Sequence, residues 1–158
     1  MTVIAMQSLY DWLLFLHVLA AMIWFGGGLM LAVMTARVLR DPDPGAVGQF
    51  IGSLRVLGPL VLAPATVAVL GLGIGLVVDT DAWEFGQLWV QLGLGLFVGA
   101  FLIGAGWQSR TAIAATRAAA LDDAVEARRH LRRWLWGYGV IVGLLVVAAW
   151  DMTTKPGL

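Results

Sequence analysis

The sequence predicts an all-α fold: an integral membrane antiparallel four-helix bundle, with N-terminus and C-terminus outside. Three observations carry that expectation. The chain of 158 residues is 60% hydrophobic and 13% charged, with a mean hydropathy of +0.86, whereas a soluble domain carries about a quarter charged residues. The apolar residues collect in four runs, at about 9–36, 54–78, 85–108 and 134–151, each long enough for the roughly 20 residues of a spanning helix. Arg and Lys gather at alternate ends of those runs. Residues 1–158 therefore read as a single membrane domain.

The first run follows MTVIAMQSLYDW, which has no basic residue, while Arg37 and Arg40 lie beyond its far end. That charge order predicts a retained, reverse-oriented anchor and no signal peptide. RDPDPG marks a proline-rich turn within residues 37–48. In the second run, Pro59 and Pro64 remove two backbone donors and predict a bend. The acidic hairpin DTDAWE, residues 79–84, leads to the third run. Its helical pattern continues from Phe85 through WQSRTAIAATRAAAL to Leu121 without a breaker. At about 1.5 Å per residue the helix overruns the bilayer by roughly 20 Å. DDAVEARRHLRR, residues 122–133, reads as a charged connection, with Asp122 and Asp123 suited to the first turn of a fourth helix.

Nine of the ten basic residues flank the first and third connections, and the tenth is Lys155. By the positive-inside rule both connections face the cytoplasm, and both termini and the acidic hairpin face outward. Tyr10, Trp12, Trp83, Trp89 and Trp150 fall near outer ends, and Trp107, Trp134 and Trp136 near inner ends, as aromatic belts. Zero net charge gives no footing for nucleic acid, and the absence of cysteine excludes disulfides and thiolate metal sites. GLGIG and GLGLG lie inside apolar helices without a preceding strand, so they are packing glycines, not nucleotide loops. The spacings Gly71/Gly75, Gly95/Gly99 and Gly139/Gly143 suit close helix approach in lipid. His17, Ala20, Ala21, Trp24, Gly27 and Gly28 share one stripe of the first helix, which should face the bundle interior.

His17 lies about 10 Å below the outer boundary, counted from Tyr10. An ionisable side chain at that depth calls for a partner inside the bundle. Gln91 is the best polar candidate, with Gln87 and Asp151 nearer the surface; Met22, Met30, Met34 and Met152 offer thioethers, and only Met152 sits on another helix near the outer face. Three uses of the ring stay open. It can pack, hydrogen-bonded to Gln91; it can bind haem iron or copper; or it can relay protons. His130 lies in the third, cytoplasmic connection, across the bilayer from His17, so it cannot complete a bis-histidine site with it.

Two motifs then coincide: Leu16, His17, Trp24, Gly26 and Gly27 in an LH-x6-W-x-GG pattern, and WDMTTKPG at 150–157. On them, and over essentially the whole chain, the sequence resembles the small bacterial membrane proteins of the domain of unknown function 2269 family. These look related to the copper-resistance D family and, more distantly, to the haem-binding membrane protoporphyrinogen oxidases. The resemblance implies a multi-pass protein of the bacterial inner membrane that binds haem b or a metal through His17. Met152 and Lys155 match its methionine-lysine end, Lys155 meeting a propionate, with Trp24 and Gln91 nearby. The haem-binding relatives place a methionine four residues after the histidine, where this chain has Ala21. Copper transport or tolerance through His17 and methionines is the alternative, and an accessory subunit the third. The expected partners are the lipid bilayer, anionic headgroups at Arg128, Arg129, Arg132 and Arg133, and a second copy or another membrane subunit.

Overall fold

The computed structural model describes residues 2–157, and the side chains of 9–43 and 45–157. Four helices form an antiparallel membrane bundle: α1, Thr2–Val38; α2, residues 44–78; α3, Leu88–Ala120; and α4, Ala124–Thr154. Each holds an apolar span long enough to cross a bilayer, and no strand occurs among the described residues.

The helices are longer than the apolar runs. α2 begins at Pro44, because Asp43 is its N-cap, accepting from the Gly45 N–H, and proline needs no partner at the first position. The turn before it is confined to residues 39–43. α4 begins at Ala124, with the Asp123 carboxylate accepting from the Glu126 N–H, so most of the expected charged connection is helix. α3 starts at Leu88, three residues later than Phe85, and runs on to Ala120 as expected. The overhanging ends are not bare rods. Val47, Phe50, Ile51 and Leu54 of α2 are buried together with Ala115 of α3 and Ala127 and Leu131 of α4.

Arg128 ties this end together. Its guanidinium donates to the carbonyls of Val38 (3.0 Å), Leu39 (3.4 Å), Asp41 (2.6 Å) and Asp43 (3.2 Å). Those include carbonyls that the end of α1 leaves without helical partners. Arg128 is thus engaged with backbone, which corrects its expected place among the lipid-facing arginines. Arg129 pairs loosely with Glu126 at 3.4 Å, and Arg132 and Arg133 are exposed.

Both middle helices change register. The Ala63 N–H donates to the Gly58 carbonyl across a π turn, Gly58–Leu62, which contains Pro59 and precedes Pro64. A wider turn accommodates the missing proline donors without breaking the helix. α3 has a second π segment, Ile103–Gln108, closed by Ser109 N–H donating to the Gly104 carbonyl.

Of the stripe expected on α1, His17, Ala20, Trp24 and Gly28 are buried and Ala21 and Gly27 half-buried, and the buried face continues through Leu31 and Thr35. The glycine pairs are not the contacts they seemed. A Cβ at Gly71, Gly95, Gly139 or Gly143 would meet nothing within 4 Å, so most of those glycines face outward. Close approach occurs elsewhere. Gly28 admits the Tyr138 phenol, whose hydroxyl lies 3.4 Å from the Trp24 and Phe25 carbonyls, and Gly137 admits Trp107. α1 packs on the later part of α2, and α4 packs on α3 and α1. Residues 63–78 and 88–102, consecutive in the chain, barely approach each other, so a seam runs between α2 and α3.

Candidate ligand pocket at the Lys155 end

The seam holds two cavities, and Trp24 lines both. The smaller, about 240 Å³, lies near the Lys155 end and is lined by His17, Trp24, Met152 and Lys155, with Val90, Leu94 and other apolar side chains. Four of the five residues singled out from the sequence therefore meet in one chamber.

His17 enters it from α1 and is 7% exposed. Its ring packs on α2, against Gly73, where a Cβ would stand 3.1 Å from Cε1, and against the backbone of Val69. Glycine at 73 is what lets the imidazole approach α2 this closely. The ring lies within loose hydrogen-bonding reach of the Val69 backbone, and His17 Nδ1, though buried, makes no well-formed hydrogen bond. Gln91 is not that partner: it is exposed and outside the cavity, which corrects the expected His17–Gln91 hydrogen bond and removes Gln91 from the site. Two residues further along α3, it is Gly93 that lines the chamber. Gln87 is occupied too, accepting from Trp89 Nε1 at 3.0 Å and donating to the Ala82 carbonyl at 3.3 Å. Met22 and Met30 point outward and Met34 lies outside the chamber, so among the described residues Met152 alone brings it a thioether.

Met152 and its neighbour Asp151 approach the chamber from α4. A Cβ at Gly93 would lie 3.4 Å from Met152 Cε and 3.3 Å from Asp151 Oδ2. Asp151, placed near the surface by its position in the sequence, is 1% exposed, and neither carboxylate oxygen has a partner. A carboxylate one residue from the end of a polar motif gives little sign of burial; only the helix rotation sets it. Among the described residues no three His, Cys, Asp or Glu side chains cluster as a metal site.

The mouth is an aromatic cap. Trp83 Nε1 donates to the Tyr10 hydroxyl at 3.2 Å, and Trp83 meets Trp89 edge to face at 5.1 Å. The Lys155 ammonium sits 3.8 Å over the Trp83 ring, a cation–π contact. Lys155 has φ 45°, the left-handed end of α4, and its N–H donates to the Asp151 carbonyl. Gly157, at φ 92°, folds the chain back onto Leu88. Trp89, expected in the outer belt, and Trp134, expected in the inner one, are buried, whereas Trp12, Trp107, Trp136 and Trp150 are exposed as expected of belts.

No curated protein and no solved structure gives a match. Residues 11–156 match the family described as predicted integral membrane protein (DUF2269). With that match spanning nearly all of α1 to α4 and the chamber they enclose, the chain belongs to this family of integral membrane proteins.

Proposed function

We propose that the protein binds a soft metal ion, Cu(I), in the chamber beneath the aromatic cap, as part of metal handling at the outer face of a bacterial inner membrane. The observation that carries this reading is the buried imidazole of His17, whose Nδ1 makes no well-formed hydrogen bond, lining a cavity together with Met152. A polar nitrogen left unpaired in an apolar site is costly, so it favours a ligand that accepts its lone pair. Imidazole and thioether are the donor types that suit Cu(I). Asp151, against the same Gly93 as Met152, would offset the ion's charge. The kinship expected of this family with the copper-resistance D family would point the same way. His17 and Met152 would hold the ion, and the apolar walls would keep water from it.

Haem b does not fit as well. A tetrapyrrole needs more room than the chamber offers: about 240 Å³ falls below the roughly 300–1,000 Å³ of ordinary ligand pockets. Lys155 is also stacked on Trp83 rather than free for a propionate. The orientation belongs to the same proposal: the arginine-rich end in the cytoplasm, and the chamber, both termini and Lys155 outside.

The test is copper content of purified protein under reducing conditions, with a Cu(I) chelator as competitor. One Cu(I) per chain is expected, lost in His17→Ala and bound more weakly in Met152→Leu, which keeps side-chain volume. A wild-type protein that yields Cu(I) fully to the chelator, or an unaltered stoichiometry in folded His17→Ala, overturns the reading. A Soret band that vanishes in His17→Ala would replace copper by haem.

A further inference from the structure

We infer that the second cavity of the seam is a lateral binding site for a neutral membrane lipid with a hydroxyl head, recognised by Gln108. The site is separate from the His17 chamber and does not depend on what that chamber binds. Its volume is about 550 Å³, within the range of ligand pockets. It lies where the two π segments face each other: Gly58, Pro59 and Leu62 on one wall, Gly104 and Gln108 on the other. Such register shifts are often found at functional sites. The walls are mostly apolar and aromatic, with Trp24 and Trp134 among them, and the one charged lining residue, Arg55, is exposed.

One group in this wall lacks a partner. Gln108 is 6% exposed, and neither its amide nitrogen nor its amide oxygen makes a hydrogen bond. The other hydroxyls lining the cavity are spoken for: Thr66, Ser109 and Thr116 each donate to a carbonyl of their own helix, and Tyr138 points to the carbonyls of Trp24 and Phe25. An unpaired amide between membrane helices is expensive, and what can reach it along an apolar seam is a molecule dissolved in lipid.

The amide also selects the head. It offers donors on Nε2 and an acceptor on Oε1. A phosphodiester, a carboxylate or a quinone carbonyl only accepts, and would leave Oε1 orphaned. A hydroxyl both donates and accepts, so it satisfies both sides. The flat indoles suit a ring, and a lipid alcohol offers the same head on a chain.

The experiment uses the full chain in detergent micelles, with decyl hydroquinone under anaerobic reduction as probe and its dimethyl ether as the shape-matched control. Saturable binding of the hydroquinone is expected, about tenfold tighter than of the ether, because the ether cannot donate to Oε1. In Gln108→Leu the two should bind alike. Gly104→Val projects into open space in the cavity wall and should block both while leaving Gln108 in place. Competition by farnesol as well as by the hydroquinone assigns the site to lipid alcohols in general; failure of farnesol narrows it to ring-bearing heads. Equal binding of probe and ether by the wild-type protein overturns the inference, as does displacement of the probe by phosphatidylcholine, whose phosphodiester head has no hydroxyl, at matched concentration. Circular dichroism melting of both variants shows that they are folded.

Discussion

Replacing Gly28 by alanine should be the most damaging single methyl that this bundle can receive. The added Cβ would fall inside the Tyr138 phenol, with even the third-nearest atom, Cε2, only 2.6 Å away. Tyr138 cannot yield along its own axis, because it is 3% exposed and stacked on Trp134 at 5.5 Å with an interplanar angle of 5°. Either α1 and α4 separate or the phenol leaves. Forced rearrangement of a packed contact costs about 1–3 kcal/mol. Disrupting the aromatic stack adds about 0.5–1.5 kcal/mol. Stranding the hydroxyl adds about 1 kcal/mol, the low end because its contacts are long. Helices that separate within lipid or detergent do not enter water, so the transfer term is small. The sum is about 3–5 kcal/mol. Unfolding by sodium dodecyl sulfate in mixed micelles, followed by tryptophan fluorescence, reads it directly. Gly26→Ala is the control, since a Cβ there meets nothing within 4 Å, and it should stay within about 0.5 kcal/mol of the parent. Tyr138→Ala should remove most of the Gly28→Ala penalty in a double-mutant cycle. Strict additivity of the two, or a Gly28→Ala protein as stable as Gly26→Ala, would refute the wedge.

Arg128→Ala should lower stability by about 2–4 kcal/mol, since charged hydrogen bonds are worth about 1.5–3 kcal/mol and its carbonyl partners are partly solvated. Arg128→Lys should recover less than half, because an ammonium cannot span four carbonyls as the guanidinium fork does. Thermal unfolding gives the cost, and faster amide exchange confined at first to residues 39–43 gives its location. The chain has no cysteine, so a single introduced thiol reports orientation without background. Asp81→Cys should react with a membrane-impermeant maleimide in intact spheroplasts, and Leu121→Cys only after permeabilisation; the opposite pattern would reverse the proposed orientation.

Much of the architecture was legible in the chain because the bilayer imposes a simple rule. Backbone groups in lipid must be satisfied within the segment, so long apolar runs have to be helices, and four runs give four rods. The stripe from His17 to Gly28 was legible for a related reason: three-and-four spacing is fixed by helix geometry, and small residues beside one polar side chain mark the face that turns from lipid. Asp123 as a helix start and the overrun of α3 also follow from local residues alone.

What the local pattern could not supply was azimuth. Gln91 and Gly93 are two residues apart on α3, yet one faces outward and the other borders the His17 chamber. In an almost wholly apolar helix, polarity hardly distinguishes one face from another, so the rotation is decided by packing against neighbours. The outward GxxxG pairs show the same thing, for the spacing permits close approach without saying which helix takes it. Arg128 looked like one more surface cation until the fold brought the end of α1 within reach. Gln108, Tyr138 and Asp151 acquire meaning only once the helices are assembled, because a buried polar atom is defined by what does not surround it. Helix number and span are properties of one segment in lipid, and the sequence by itself determines them. The seam, the chamber and the orphaned groups are properties of pairs and triples of segments, and only tertiary packing decided those.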